Sequence, residues 1–395
     1  METKPGEYQL PDRSARYSGA QQRISDAFAM ADPTEPPVLV WPFHYIVFGT
    51  DPSAAPADLF DSPQNIIDFQ VKWCEQHLLA VDDDFQPYLT PYYGTGILAS
   101  GFGCQTVFAP GRDPAVSGPC LTSISDAARL RLPDPQKDGL LPRVLETAAY
   151  MRAHGPYPVS LTDSQSPLDE LILMCGHERL YLWMYDQPEL VHHLMELVTE
   201  AFIQWVKAQK AVTGEPRDIC YGEQGVWVPP GVGVWIADDE AVFISPKLYA
   251  EFVAPYYSRI FKEFGGGVLH FCGDGSQHGP ALLQIEGLRA INSGPMSKPA
   301  LFARLQKAVQ GKIPLIYQEL SPVEPESYYR ALLADLSLRG VVFAPQVTDR
   351  VAIVQGAGFV DVNQDRVQAA RRVHSVLKDL LAETLKARQN RQERS

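Results

Sequence analysis

The chain has 395 residues, of which 45% are hydrophobic and 10% aromatic, and its 34 Lys and Arg against 47 Asp and Glu give a net charge of −13. This composition is typical of a globular protein and excludes disorder throughout. The negative charge disfavours a nucleic-acid binder, because neutralising phosphates requires a concentrated basic surface. We therefore expect a small-molecule substrate or a protein partner, and no nucleic acid.

The N-terminal residues and the cysteines indicate the cellular compartment of the protein. Residues 1–18 are polar and predict a flexible arm, and residues 19–395 predict a single folded domain. No signal-peptide pattern and no run of 18 apolar residues occurs, so we expect no membrane association. The six cysteines lack the regular spacing of a disulfide framework. Together these features predict a cytoplasmic protein with reduced thiols.

Short apolar runs alternate with segments of helical period along the chain. The predicted strands are 38–41, 158–161, 219–221, 267–270, 290–292, 313–317 and 340–343. The predicted helices are 63–79, 168–185, 188–212, 246–264, 279–287, 298–310, 325–337 and one C-terminal helix beyond residue 365. The region 80–98 can supply an eighth strand.

Buried strands that alternate with helices predict a parallel sheet covered on both faces. A nucleotide-binding sheet is disfavoured, because no GxGxxG turn follows a strand. The pattern therefore predicts an α/β fold of the TIM-barrel type, a single eight-stranded β/α barrel. The Gly-rich and Pro-rich region near residues 80–150 reads as an insertion into this barrel.

One strand end combines residue types that bind metals. His270 and Cys272 stand two positions apart, so both side chains face the same side of a strand. His nitrogen and Cys thiolate are preferred zinc ligands, and a catalytic zinc site typically has three protein ligands. The pair predicts either a metal site at the barrel mouth or a structural histidine beside a buried thiol.

An ordered series of short motifs resembles the uroporphyrinogen decarboxylase superfamily, and the HxCG motif at His270 resembles its corrinoid-dependent methyltransferase branch. The resemblance spans about residues 20–380 and implies the same barrel. The matching residues are 22–24, 102–103, 163–168, 185–189, 237–239, 244–249, 252, 255–256, 270–273, 286–288 and 292.

The methyltransferase resemblance implies a zinc ion held by His270, Cys272 and a second cysteine. No cysteine follows Cys272, and Gln346 lies about where the second one is expected. An amide is a poor zinc ligand, so a carboxylate is required to complete the site. We predict Glu223 or Glu319 for this role, because each follows a predicted strand.

Two further carboxylates and several aromatic residues are candidates for the substrate pocket. Asp239, in an acidic run, and Asp163 are predicted to act as general acids or as partners of His270. His44, Tyr45 and Tyr88, together with Gln346, are predicted to line the substrate site.

The resemblance implies a metal-assisted methyl transfer from a methylcobamide, carried by a partner corrinoid protein, to a thiol. An alternative is decarboxylation of a porphyrinogen or a smaller acid; the loop 42–47 lacks the Arg and Lys that such carboxylates require. A second alternative is a non-catalytic barrel that binds a small molecule. A homodimer is compatible with each interpretation.

Overall fold

The computed structural model describes residues 14–41, 58–109, 113–294, 298–349, 351–355 and 357–393. Two short 3-10 helices span Asp239–Phe243 and Ser276–His278. The strands are β1 Thr106–Val107, β2 Ala115–Val116, β3 Val234–Ala237, β4 Gly267–Phe271, β5 Leu288–Ser293, β6 Leu315–Tyr317, β7 Val341–Phe343, β8 Val351–Val354 and β9 Gly358–Asp361. The α-helices are α1 Ser14–Phe28, α2 Pro63–Ala80, α3 Ile97–Gly101, α4 Ile124–Ala127, α5 Leu141–His154, α6 Pro167–Cys175, α7 His177–Asp186, α8 Pro188–Thr213, α9 Pro246–Phe252, α10 Ala254–Glu263, α11 Gly279–Leu282, α12 Pro299–Ala308, α13 Pro325–Asp335 and α14 Arg366–Gln392.

The centre of the fold is a parallel sheet of five strands in the order β3-β4-β5-β6-β7. Helices connect these strands, as parallel pairing requires. Every residue of β3, β4, β6 and β7 is buried, which explains why these strands are continuous apolar runs in the sequence. The predicted α/β class with a parallel sheet is therefore confirmed.

The alternation of side chains divides the sheet residues between two separate apolar layers. The layer on the inner face includes Trp235, Val268, Ala290, Ile316 and Val342, packed with Leu39, Trp41 and Phe85. The layer that faces the helices includes Ile236, Leu269, Ile291, Tyr317 and Phe343. A side chain at an even position of β4 thus lies on the inner face, which is where His270 is placed.

Isolated parallel bridges extend from both edges of the sheet. Beside β7, Val38 pairs with Phe343 and Trp41 with Gln346; beside β3, Gln165 pairs with Ala237. The segment predicted as a strand at 38–41 therefore contacts the β7 side through two isolated bridges, whereas the segment predicted at 158–161 pairs through Val159 with Leu89, and the bridge to β3 comes from Gln165 beyond it. Both have prolines within or beside them, and a proline has no N–H to donate to a ladder.

The strand predicted at 219–221 is wrong as an element of the sheet. The sheet strand of this unit is β3, and Ile219 makes only one bridge, to Val232. Between them, residues 223–226 form a tight turn. Two predicted helices are also broken: 168–185 ends and restarts at Gly176, where φ is +81°, and 246–264 does so at Val253.

The chain ends differ in how well they were predicted. Helix α1 begins at Ser14, so part of the predicted arm is helical; Arg16 fixes this end by an ion pair with Asp82 and a 2.7 Å hydrogen bond to the Asp83 carbonyl. The predicted C-terminal helix is α14. The hairpin of β8 and β9 before it was not predicted. In the described ranges, every helix is too short or too polar to cross a bilayer.

Candidate metal centre

His270 and Cys272 lie together at the carboxyl end of β4. His270 is the fourth residue of the strand and faces inward, and Cys272 follows the strand's last residue on the same side. The distance from His270 Nε2 to Cys272 Sγ is 3.3 Å. The two side chains therefore converge on one point, as their spacing predicts.

Asn292 fixes the orientation of the His270 ring. The register of β4 and β5 places the two residues directly opposite each other. Asn292 Nδ2 donates to the Ile316 carbonyl at 3.3 Å, so its Oδ1 faces His270 Nδ1 and accepts the ring proton. This network assigns the proton to Nδ1 and leaves the lone pair of Nε2 free for a ligand. Metal-binding histidines commonly have this arrangement.

Asp239 completes a group of three ligand side chains. Its Oδ1 lies 3.4 Å from His270 Nε2, and the ligand atoms of Asp239, His270 and Cys272 are all within 4.8 Å of one another. The same Oδ1 is buried and has no hydrogen-bond partner. An unpaired buried carboxylate oxygen is costly, so this atom is suited to an ion or a proton donor.

Asp169 positions the segment that carries Asp239. Helix α6 begins after Ser166, whose Oγ caps the helix by accepting from the Asp169 N–H at 3.0 Å. The Asp169 carboxylate accepts the backbone N–H groups of Asp239 at 2.8 Å and of Glu240 at 3.1 Å. The start of the 3-10 helix Asp239–Phe243 is thereby tied to α6.

The surroundings of this group are strongly acidic. Burial, and after it the charge of Asp239, raises the pKa of Asp163 to about 7. Burial likewise raises the pKa of Asp238 to about 7. Desolvation by the surrounding protein, followed by the charge of Asp239, raises the pKa of the Cys272 thiol well above its ordinary value, although Cys272 has exposed surface. A bound cation would reverse these effects.

Glu223 and Tyr88 lie at the turn formed by residues 223–226. Glu223 is buried, and burial, followed by the charge of Asp163, raises its pKa well above the usual range. The Tyr88 hydroxyl accepts a hydrogen bond from the Gly225 N–H at 2.9 Å. Glu223 is not one of the three converging ligands.

The remaining predicted site residues are placed elsewhere. Glu319 is fully buried against helix α13, where its Oε1 accepts a hydrogen bond from the Tyr329 hydroxyl at 2.7 Å. It follows β6 at a position that faces the helices, so the ligand role predicted for it does not agree with its placement. Gln346 is buried, and its backbone bridges Trp41 and Leu320. His44 and Tyr45 lie outside the described residues.

Two positioning residues were not assigned a role from the sequence. Asn292 is part of the motif series, and the period of its strand would have placed it beside His270. Asp169 stands three residues after Ser166, a spacing that normally indicates a capping box. Its carboxylate instead binds the Asp239 turn, which depends on a contact between residues 70 positions apart in the chain.

Comparisons with known proteins support a class for this arrangement. Residues 92–214 match the family model for uroporphyrinogen decarboxylase (URO-D). Curated relatives include uroporphyrinogen decarboxylases from Carboxydothermus hydrogenoformans (27% identity over 218 residues, 51% of this chain and 57% of the relative) and Xanthomonas axonopodis pv. citri (26% over 198 residues, 48% of each). The matches therefore span about half the length of these relatives.

The fold is similar to that of a solved methyltransferase from Methanosarcina mazei. The TM-score is 0.63 at 16% sequence identity, and the match covers 92% of this chain and 99% of the other. These findings confirm the resemblance to the URO-D superfamily stated from the sequence. The family-model match includes Asp163 and Asp169 and ends before Asp239, His270 and Cys272. The superfamily contains both decarboxylases and methyltransferases, and the comparisons do not choose between these two activities.

Proposed function

We propose that the chain forms a closed eight-stranded β/α barrel and works as a metal-dependent methyltransferase in the cytoplasm. The barrel is supported by the bridges beside β3 and β7 and by the inner apolar layer, which joins the five strands to Leu39, Trp41 and Phe85. In such barrels the chemistry lies at the carboxyl ends of the strands. His270 and Cys272 stand at that end of β4.

The observation that carries the proposal is the convergence of Asp239, His270 and Cys272 within 4.8 Å. A carboxylate oxygen, an imidazole nitrogen and a thiolate are a zinc ligand set, and three protein ligands leave one position for a substrate. The unpartnered Oδ1 of Asp239 and the His270 tautomer fit this use. Asp239 replaces Glu223 and Glu319 as the proposed third ligand.

The proposed reaction moves a methyl group from the cobalt of methylcobamide, on a corrinoid protein, to the sulfur of a thiol. The Co–C bond breaks and leaves cob(I)amide, the S–C bond forms, and the thiol proton is released. When bound, zinc lowers the pKa of a coordinated thiol, so that the nucleophilic thiolate is present at neutral pH. The chain's own residues hold the reacting groups. Asn292 orients His270, Asp169 holds the Asp239 turn, and Asp163 can keep or release a proton near pH 7.

Decarboxylation is the second candidate, favoured by the match of residues 92–214 to the URO-D family model. Asp163, with its raised pKa, is a suitable proton donor for it. A porphyrinogen with many carboxylates is disfavoured, because Asp163, Glu223 and Asp239 form no ion pair with Lys or Arg in the described part of the chain. Each anionic group moved out of water there would lack a counter-charge.

Metal analysis and two activity assays test these functions. We expect about one zinc per chain in protein purified without added metal. Anaerobic incubation with methylcobalamin and a thiol should give the methylated thiol, detected by mass spectrometry. Incubation with uroporphyrinogen should release no carbon dioxide above the background. Decarboxylation at the rate of a true uroporphyrinogen decarboxylase, in metal-free protein, would show that the methyltransferase proposal is wrong.

A further inference from the structure

Glu223 is a largely buried carboxylate, with an exposed fraction of 8%. Burial and the charges of Asp163 and Glu215, and no hydrogen bond, act on its pKa, so the described residues supply it with no donor. It stands at the first position of a turn whose ends pair as Glu223 and Val226. A buried carboxylate normally has donors or a cation around it. Glu223 therefore has the binding capacity for a group that comes from outside the chain.

The turn that carries Glu223 is held firmly. Gln224 and Gly225 both have positive φ, +49° and +78°, which gives the tight two-residue hairpin geometry. The Gly225 N–H donates to the Tyr88 hydroxyl at 2.9 Å, and the Trp41 ring packs so closely that a Cβ on Gly225 would lie 2.3 Å from its Cγ. The position of Glu223 is thus set by the fold before any ligand binds.

Asp163 links Glu223 to the candidate metal centre. Its Oδ1 is buried without a hydrogen-bond partner. Asp163 and Glu223 each stand three residues after Ser160 and Cys220, and the Ser160 Oγ and Cys220 Sγ atoms lie 3.6 Å apart, so the two carboxylates follow neighbouring segments. After burial, the charge of Asp163 raises the pKa values of Glu223 and Cys272, and the charge of Asp239 raises that of Asp163. No Lys or Arg pairs with Asp163 or Glu223 in the described residues. Neighbouring carboxylates repel each other when both are ionised, so a positive charge placed between them would favour their ionised forms and would itself be bound.

We propose that Asp163 and Glu223 bind a cationic group of the substrate, and that the thiol substrate therefore carries an ammonium group. The statement that the substrate is a thiol rests on the proposed function. The statement that the substrate carries a cationic group rests on the two carboxylates. An ammonium group has three N–H donors, which suits two carboxylates with unused acceptor capacity. The thiol end of such an aminothiol would point to Cys272 and His270.

A second metal ion is the competing occupant of the carboxylates. Among the described residues, the one group of three or more ligand side chains with atoms within 4.8 Å is Asp239, His270 and Cys272. Asp163 and Glu223 therefore offer too few converging ligands for a divalent ion, which takes six or more oxygens or several waters. An ammonium ion is satisfied by the hydrogen bonds of two carboxylates.

The test compares small ligands that differ in charge. Dissociation constants are measured at pH 7 for 2-aminoethanethiol, 2-mercaptoethanol, 3-mercaptopropionate and ethylamine. We expect 2-aminoethanethiol to bind at least about tenfold more tightly than 2-mercaptoethanol, with 3-mercaptopropionate the weakest. Glu223→Gln and Asp163→Asn should each reduce this preference to less than about threefold. Glu319→Gln, which changes a buried glutamate outside the site, should retain it.

Several results would overturn the inference. The first is that a neutral or anionic thiol binds as tightly as the aminothiol, and the second is that the preference for the aminothiol survives in both variants. The third is that neither 2-aminoethanethiol nor ethylamine binds measurably. The fourth is that the protein binds calcium or magnesium and loses this binding in Glu223→Gln. The proposed function is read separately, from zinc content and methyl transfer. If the methyl group is transferred equally well to all three thiols, the inference is wrong and the proposed function stands. If ethylamine binds in a Glu223-dependent way but the protein holds no zinc and transfers no methyl group, the proposed function is wrong and the inference stands.

Discussion

The two sides of the candidate site are built in different ways. On the strand side, His270 and Asn292 occupy paired positions of β4 and β5, and their facing is fixed by the register of the sheet. On the turn side, Asp163, Glu223 and Asp239 stand on segments outside the ladder, held by contacts such as those of Asp169 and Tyr88. Backbone pairing thus positions the strand side, and tertiary contacts position the turn side.

The two sides also differ in charge. The strand side offers an imidazole, an amide and a thiol, whereas on the turn side burial raises the pKa of Asp163 to about 7 and that of Glu223 well above its ordinary value. A cation that enters the site removes the cost of ionising these carboxylates. Under the proposed function, the strand side would specify which ion binds, and the turn side would determine the charge of what binds beside it.

Removing a strand-side ligand should have the largest effect. We expect Cys272→Ala to lose zinc and to reduce methyl transfer by roughly 1,000-fold, because the several kcal/mol contributed by a metal are lost with it. The measurements are zinc content and the rate of thiol methylation. Cys120→Ala, a change of a half-buried thiol beside Cys104, is the matched control and should retain both. Normal zinc content in Cys272→Ala would contradict the assignment.

Changing the residue that orients His270 should have a smaller effect. We expect Asn292→Leu to weaken zinc binding by about 10- to 100-fold, the usual cost of losing the hydrogen bond behind a ligating histidine. Asn292→Asp keeps an acceptor for Nδ1 and should retain more of the affinity. Competition with a chelator gives both values. If the two variants bind zinc equally, Asn292 acts through packing and not through the ring proton.

The sequence predicted the fold best where a strand is a continuous apolar run. The strands at β4, β5, β6 and β7 were predicted near their observed positions, because a buried parallel strand is a continuous apolar run. The strand at 219–221 was wrong, because Val234–Ala237 follows a Gly-rich and Pro-rich stretch that looks like a loop. The local sequence pattern did not show which of the two apolar runs, 219–221 or 234–237, pairs with β4.

The site shows the same limit. His270 and Cys272 are two residues apart, and the period of a strand was enough to bring them together. Asp239 was predicted as an acid or a partner of His270, and its closeness to both ligands depends on the path of the chain after β3. The placement of Glu319 against α13 and the contact of Asp169 with the Asp239 turn depend on which face of a strand or helix packs against its neighbour. These are tertiary facts that a single sequence does not contain.

The turn side can be tested through its backbone. We expect Gly225→Ala to lower the free energy of unfolding by about 2 kcal/mol, because alanine is strained at positive φ and its Cβ would collide with Trp41. The variant should also lose the preference for the aminothiol, since Glu223 moves with the turn. Gly311→Ala has a positive φ but open space around the Cβ and should cost about 1 kcal/mol. Equal losses for both variants would contradict the role of the Trp41 contact.

The last expected effect is a dependence of stability on pH that arises from the turn side. Asp163 has its pKa raised to about 7, so between about pH 4 and pH 7 the folded protein keeps a proton that the unfolded chain has released. The unfolding free energy must then fall as pH rises through this window, by up to about 1.4 kcal/mol per pH unit for each such group. In chelator-treated protein, we expect Asp163→Asn to reduce that slope by about one proton, measured by denaturant unfolding at several pH values. Asp126→Asn is the control: a hydrogen bond from Ser123 lowers the pKa of Asp126, so its titration lies below this window. An unchanged slope in Asp163→Asn would mean that Asp163 is ionised throughout the window and already has a counter-charge in the folded protein.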